Sequence, residues 1–127
     1  MASGEREYRV LSLLKKCENV VSMFDYFHEH GHLFLVCELM GPDLRSYTRK
    51  NQDKIALEHI RQYGISMFMS LHHLRKHKVV HADIKPDNFL MSLDLKTIKL
   101  ADFGTAFSLE EHSTEVDYLV ARYYRAP

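Results

Sequence analysis

Neither sign of charge is in excess in this chain: 17 Lys and Arg stand against 17 Asp and Glu in 127 residues. A general nucleic-acid or membrane-surface binder needs a basic surplus to attract phosphate, so neither direct nucleic-acid binding nor membrane association is expected. Cysteine is scarce, with only Cys17 and Cys37. Two are too few for a disulfide framework, and a reducing compartment is expected. No apolar run reaches the roughly 18 residues that cross a bilayer. The opening Met-Ala-Ser-Gly-Glu-Arg-Glu lacks the apolar stretch of a secretory signal. Internal repeats and low-complexity tracts are absent. What is present is an ordinary globular mixture, 46% hydrophobic and 27% charged. That composition argues against disorder along the whole chain, and the length allows at most one domain.

The apolar periodicity gives a coarse layout. Residues 5–16 read as a helix with Tyr8, Val10, Leu11, Leu13 and Leu14 on its apolar side. Residues 19–27 and 32–38 are rich in β-branched and aromatic types and flank His30-Gly31, which predicts a hairpin. Gly41-Pro42-Asp43 breaks that pattern, and a short helix is expected over 43–50. Residues 55–77 form the longest predicted helix, with a stripe of Ile60, Tyr63, Met67, Leu71 and Leu74. Val79-Val80-His81, Phe89-Leu90-Met91 and 97–103 read as brief strands around loops. Residues 103–127 show no sustained period and are expected to be loop. This order of elements is an α+β class. Cys37, Met67, Met69, Met91 and His81 are expected in the core. Nine histidines invite a zinc reading, but neither His73 and His77 nor His28, His30 and His32 has a Cys or acidic residue completing a ligand spacing, so no zinc site is expected.

Two loops carry chemistry. Residues 81–88 read His-Ala-Asp-Ile-Lys-Pro-Asp-Asn, and residues 102–104 read Asp-Phe-Gly. The apolar runs between them predict a small hairpin that presents both loops on one side. Phosphoryl transfer from ATP needs hard oxygen ligands for Mg²⁺, which Asn88 and Asp102 supply. It needs a carboxylate to accept the hydroxyl proton, and Asp83 fits. It needs a cation on the moving phosphoryl group, and Lys85 fits. Gly104, just past Asp102, permits backbone angles that a Cβ would resist.

The pattern HxDxKPxN followed about twenty residues later by DFG resembles the catalytic and metal loops of eukaryotic protein kinases. Eight fixed letters in register arise by chance on the order of once in 10¹⁰ positions when each letter has a frequency of about one in twenty. The resemblance implies ATP and Mg²⁺ as cofactors and a protein substrate. Lysine two residues after the catalytic aspartate is the serine/threonine pattern. By the same resemblance, Glu7 sits on the helix whose glutamate pairs with the ATP-binding lysine. Leu11 would stack with His81 and Phe103, and Cys37 is the gatekeeper. Glu38 to Met40 form the hinge that binds adenine through its backbone, and Asp43 reaches toward the ribose. Residues 1–40 are then part of the N-lobe with the hinge, and 41–127 part of the C-lobe.

The stretch Tyr118-Leu-Val-Ala-Arg122-Tyr-Tyr-Arg125-Ala-Pro is similar to the activation segment of the CMGC group, which includes the cyclin-dependent, MAP and DYRK kinases. The catalytic loop most resembles that of the pre-mRNA-processing kinases of the spliceosome. That likeness implies a nuclear location and spliceosomal partners; without it, a cytoplasmic location would be expected. Tyr118 matches an activating tyrosine, with Arg122 and Arg125 placed to meet its phosphate. Four departures accompany the likeness. Ala82 replaces the arginine that clamps activation-segment phosphate. Ala121 stands where Ser or Thr usually contacts the catalytic residues. No glycine-rich phosphate loop and no Ala-x-Lys lysine occur in the sequence. The chain therefore reads as a fragment of a kinase domain. The competing reading is a non-catalytic kinase-like interaction module or an inactive truncated gene product.

Overall fold

The computed structural model describes residues 3–52 and 54–110. Helix α1 (Ser3–Leu13) leads to strands β1 (Met23–Glu29) and β2 (His32–Cys37). Helices α2 (Leu44–Lys50) and α3 (Leu57–Lys76) follow. The short strands β3 (Val79–Val80), β4 (Phe89–Met91), β5 (Ile98–Leu100) and β6 (Phe107–Ser108) complete it, with a 3₁₀ turn at Pro86–Asn88. They pair as three two-stranded antiparallel sheets, β1–β2, β3–β6 and β4–β5. The class is α+β, as expected. Among the described residues no helix is long and apolar enough to cross a membrane.

The β1–β2 turn falls where the sequence placed it. His30 and Gly31 have φ of 48° and 78°, the left-handed pair that a two-residue turn needs to match strand twist. Nothing lies within 4 Å of a Cβ built on Gly31, so its φ is the reason for glycine there. The strand expected over 19–27 divides between two partners. Residues 23 onward pair with β2, whereas Asn19 to Val21 hydrogen-bond Leu100 of β5: Leu100 N–H donates to Asn19 O at 2.9 Å and Val21 N–H to Leu100 O at 3.0 Å. Helix α2 starts at its cap, where Asp43 accepts from Ser46 N–H at 2.8 Å and Ser46 Oγ at 2.7 Å.

The core gathers Val10, Leu11 and Leu14 from α1 and its end, Val20, the four ends of the β4–β5 hairpin, and Phe103. In that hairpin Phe89 faces Leu100 and Met91 faces Ile98, all four buried. Several packing expectations are corrected. Leu13 is 50% exposed, because it lies about 100° around the helix from Leu14. On α3, Tyr63 and Leu74 are buried as predicted, but Ile60 and Leu71 face outward, as do Leu57, Ile65 and Phe68. The inward positions between Tyr63 and Leu74 include Ser66 and Ser70. These small side chains let the helix lie close on β5, and Ser70 Oγ satisfies itself on Met67 O at 2.7 Å. Met91 is fully buried, whereas Met69 is exposed. Strand β6 lies in the stretch read as loop, since two residues carry no period. Ala121, Tyr118, Arg122 and Arg125 lie outside the described residues.

Truncating Met91 or Leu100 to Ala should cost the folded chain about 2–5 kcal/mol, because both side chains are wholly enclosed. Leu57→Ala, on the outer face of α3, should stay within about 0.5 kcal/mol. Urea denaturation of the three variants measures the contrast.

Candidate active site

The hairpin β4–β5 sets the two chemical loops side by side. Asn88 immediately precedes β4 and Ala101 immediately follows β5, and Ala101 N–H donates to Asn88 O at 2.8 Å. The loop residues His81 to Asn88 and the turn Asp102 to Gly104 are therefore neighbours. His81 is buried and joins them a second time. Its Nε2 donates to Ala101 O at 2.9 Å, and its Nδ1 accepts from Asp83 N–H at 3.2 Å. Those two bonds assign the neutral Nε2–H tautomer. Its ring meets Phe103 edge-on at 4.9 Å, and Leu11 belongs to the same core as Phe103.

Asp83, Lys85 and Asn88 converge. Lys85 Nζ lies 2.9 Å from Asp83 Oδ2. Asn88 Nδ2 donates to the same Oδ2 at 3.0 Å and to Asp83 O at 2.8 Å. The 3₁₀ turn, opened by Pro86 and closed by Asn88 N–H on Lys85 O at 3.0 Å, folds the loop back far enough for this. The hydrogen bond that Lys85 donates to Asp83 holds its ammonium above its ordinary value, so it stays charged. Asn88 spends its amide nitrogen on Asp83, which leaves the amide oxygen as the group it can offer elsewhere. That oxygen and the exposed carboxylate of Asp102 are hard donors, the set that suits Mg²⁺.

The turn at Asp102 needs a different account from the one expected. The left-handed residue is Asp102 itself, at φ 59°. Gly104 has close neighbours instead: a Cβ there would sit 3.0 Å from Ser3 Oγ and 3.4 Å from Asp102 Oδ1. Gly104 N–H closes the turn on Asp102 Oδ1 at 3.4 Å. Helix α1 holds the turn from outside. Glu7 Oε1 accepts from Phe103 N–H at 3.3 Å, and Ser3 Oγ donates to Gly104 O at 3.2 Å. Burial raises the Glu7 carboxyl and the nearby Asp102 adds to that, against the Phe103 hydrogen bond.

The segment after β2 behaves differently at each residue. Cys37 is exposed rather than buried, although it lies at the end of β2 on the side where Leu35 packs against the core. Met40 is half-buried, and the chain beyond it is fastened to β4 by Gly41 N–H on Met91 O at 2.7 Å and Met91 N–H on Pro42 O at 2.8 Å. Asp43 turns its carboxylate to its own helix, and the Ser46 bonds hold its carboxyl below the usual range. Glu38 forms an ion pair with Lys99, at 2.8 Å. Sequence reading missed Lys99, although a lysine between the buried aliphatics Ile98 and Leu100 was a signal. It also missed the contact of Arg45 with Asp87, at 3.5 Å.

The chain matches the protein kinase domain family over residues 2–127. It belongs to that family. Serine/threonine-protein kinase prpf4B of Dictyostelium discoideum is 35% identical over 98% of this chain, which covers 16% of that protein. Protein kinase gsk31 of Schizosaccharomyces pombe (strain 972 / ATCC 24843) is 34% identical over 96% of the chain, covering 34% of that protein. Serine/threonine-protein kinase prp4 of the same yeast is 32% identical over 98% of the chain, covering 27% of it. These relatives are CMGC kinases, and the chain spans between 16% and 34% of their length.

Burial holds the His81 imidazole of this kinase domain below its ordinary value of 6.5. The unfolded chain then takes up a proton that the fold refuses, so this stability is complete above about pH 6.5 and is lost as pH falls below it. Chemical denaturation at stepped pH should show the loss, and His81→Asn, which has no titrating ring, should flatten it.

Proposed function

We propose that the chain carries the catalytic face of a serine/threonine protein kinase that moves the ATP γ-phosphate to a protein hydroxyl. The observation that carries this reading is the single carboxylate oxygen of Asp83 shared by Lys85 and Asn88, one backbone bond away from the Asp102 turn. In this reading Asp83 orients the acceptor hydroxyl and takes its proton. Lys85 stays cationic and meets the transferring phosphoryl group. Asn88 and Asp102 hold Mg²⁺, which supplies neutralising charge on the phosphate oxygens. The backbone from Glu38 to Met40 receives adenine, and Asp43 lies on the ribose side. Glu7 steadies the Asp102 turn through Phe103 N–H while serving as the partner of an ATP-binding lysine. Residues 1–40 then contribute the N-lobe side and 41–127 the C-lobe side.

The likeness to prpf4B and prp4 supports a finer proposal: a kinase of pre-mRNA splicing, located in the nucleus and acting with spliceosomal proteins. Ala82 in place of a phosphate-clamping arginine leaves regulation to Tyr118. A phosphate there brings roughly −1.5 to −2 charges, which the planar forks of Arg122 and Arg125 suit.

In the protein as the cell makes it, Asp83→Asn should lower turnover about 10²–10⁴-fold with nucleotide binding nearly intact. Asp102→Asn should instead weaken Mg-nucleotide binding. Steady-state kinetics with calorimetry separates the two, and wild-type rates in both would overturn the role assignments. Separately, mass spectrometry of active protein should find Tyr118 phosphorylated, and Tyr118→Phe should reduce activity.

A further inference from the structure

The ion pair of Glu38 with Lys99 joins parts of the chain 61 residues apart. Lys99 Nζ donates to both carboxylate oxygens, at 2.8 and 3.1 Å. The same carboxylate accepts Ser22 N–H at 2.8 Å, and Glu38 N–H returns to Ser22 O at 2.9 Å. Burial would raise this carboxyl, but the Lys99 and Ser22 bonds outweigh it and hold the group below its ordinary value. Glu38 is thus fixed at its backbone and at its side chain. The two charged side chains are 24% and 21% exposed, so solvent screens the pair only partly.

The placement of the pair is informative. Glu38 is the first residue after β2 and opens the segment that receives adenine in the reading above. Lys99 is the central residue of β5, three before Asp102. Apart from the pair, Glu38 reaches β5 through Ser22 and Val21, whose N–H bonds Leu100 O, and more distantly through Gly41 and Pro42, which fasten the following chain to β4. With it, Ser22, Glu38 and Lys99 close a triangle. The core does not depend on Lys99: Ile98 and Leu100 anchor β5 on the opposite, fully buried face.

We infer that Lys99 is a positioning residue: its pair with Glu38 fixes the span between the adenine end and the metal end of the nucleotide site. This rests on the kinase reading. A ligand that touches both ends gains from a span held in advance, because no ordering remains to be done on binding. A ligand that touches one end gains nothing from it.

The test compares Mg-ATP, which uses both ends, with adenosine, which uses one, by calorimetry on the protein as the cell makes it. Lys99→Met keeps the aliphatic stem and removes the charge. It should raise the Mg-ATP Kd about tenfold, since the span must then be ordered on binding. The adenosine Kd should stay within about twofold, since that ligand does not use the span. Lys99→Arg, which can meet both oxygens of Glu38, should restore Mg-ATP binding. Equal losses for both ligands, or no loss for either, would overturn the inference while leaving the kinase reading in place. A wild-type protein that bound neither ligand would overturn the kinase reading, and the inference with it.

Discussion

The site depends on the antiparallel register of β4 against β5. Pairing Phe89 with Leu100 leaves Asn88 opposite Ala101, and the bond between their backbones is what makes one site from two loops. A slip of one residue would turn either Phe89 and Met91 or Ile98 and Leu100 out of the core, so the register is enforced by burial of all four. The chemistry is therefore fixed by an apolar constraint. The polar residues of the loops do not hold the hairpin together; they inherit their positions from it.

Two residues near the site occupy the left-handed backbone region without being glycine, Ala82 at φ 66° and Asp102 at φ 59°. Each conformation costs about 1–2 kcal/mol for a residue with a Cβ. Both lie next to residues that His81 bonds, Ala101 O before Asp102 and Asp83 N–H after Ala82. One buried ring thus holds both strained corners. Strain of this kind persists where surrounding bonds over-determine it, and it re-aims the flanking side chains.

Much of this was legible in the sequence. The loops at 81–88 and 102–104, the His30-Gly31 turn, the Asp43 start of α2 and the short hairpin follow from local chemistry: fixed polar letters, positive φ, a capping oxygen. What was not legible depended on partners distant in sequence. Asn19 to Val21 look like the start of β1, yet their hydrogen bonds go to Leu100. Periodicity marks an apolar stripe on α3, but close approach to β5 favours Ser66 and Ser70. Cys37 has the composition of a core residue, yet at the end of β2 it is exposed. Lys99 takes its meaning from Glu38, and nothing local announces that pairing. Gly104 was expected for its backbone freedom, whereas what the structure places closest to it is Ser3, at the far end of the described chain.

Helix α1 grips the turn 102–104 at two points of opposite polarity. The Glu7 carboxylate accepts a hydrogen bond from Phe103 N–H, and the Ser3 hydroxyl donates one to Gly104 O. Donor and acceptor of one short turn are thus fastened to a single rigid rod. Ser3 and Glu7 are four residues apart and so share one face of that rod, and any shift of the face carries both contacts with it. The aim of the Asp102 carboxylate is geared to the orientation of a helix that contributes no atom of its own to the loop at 81–88.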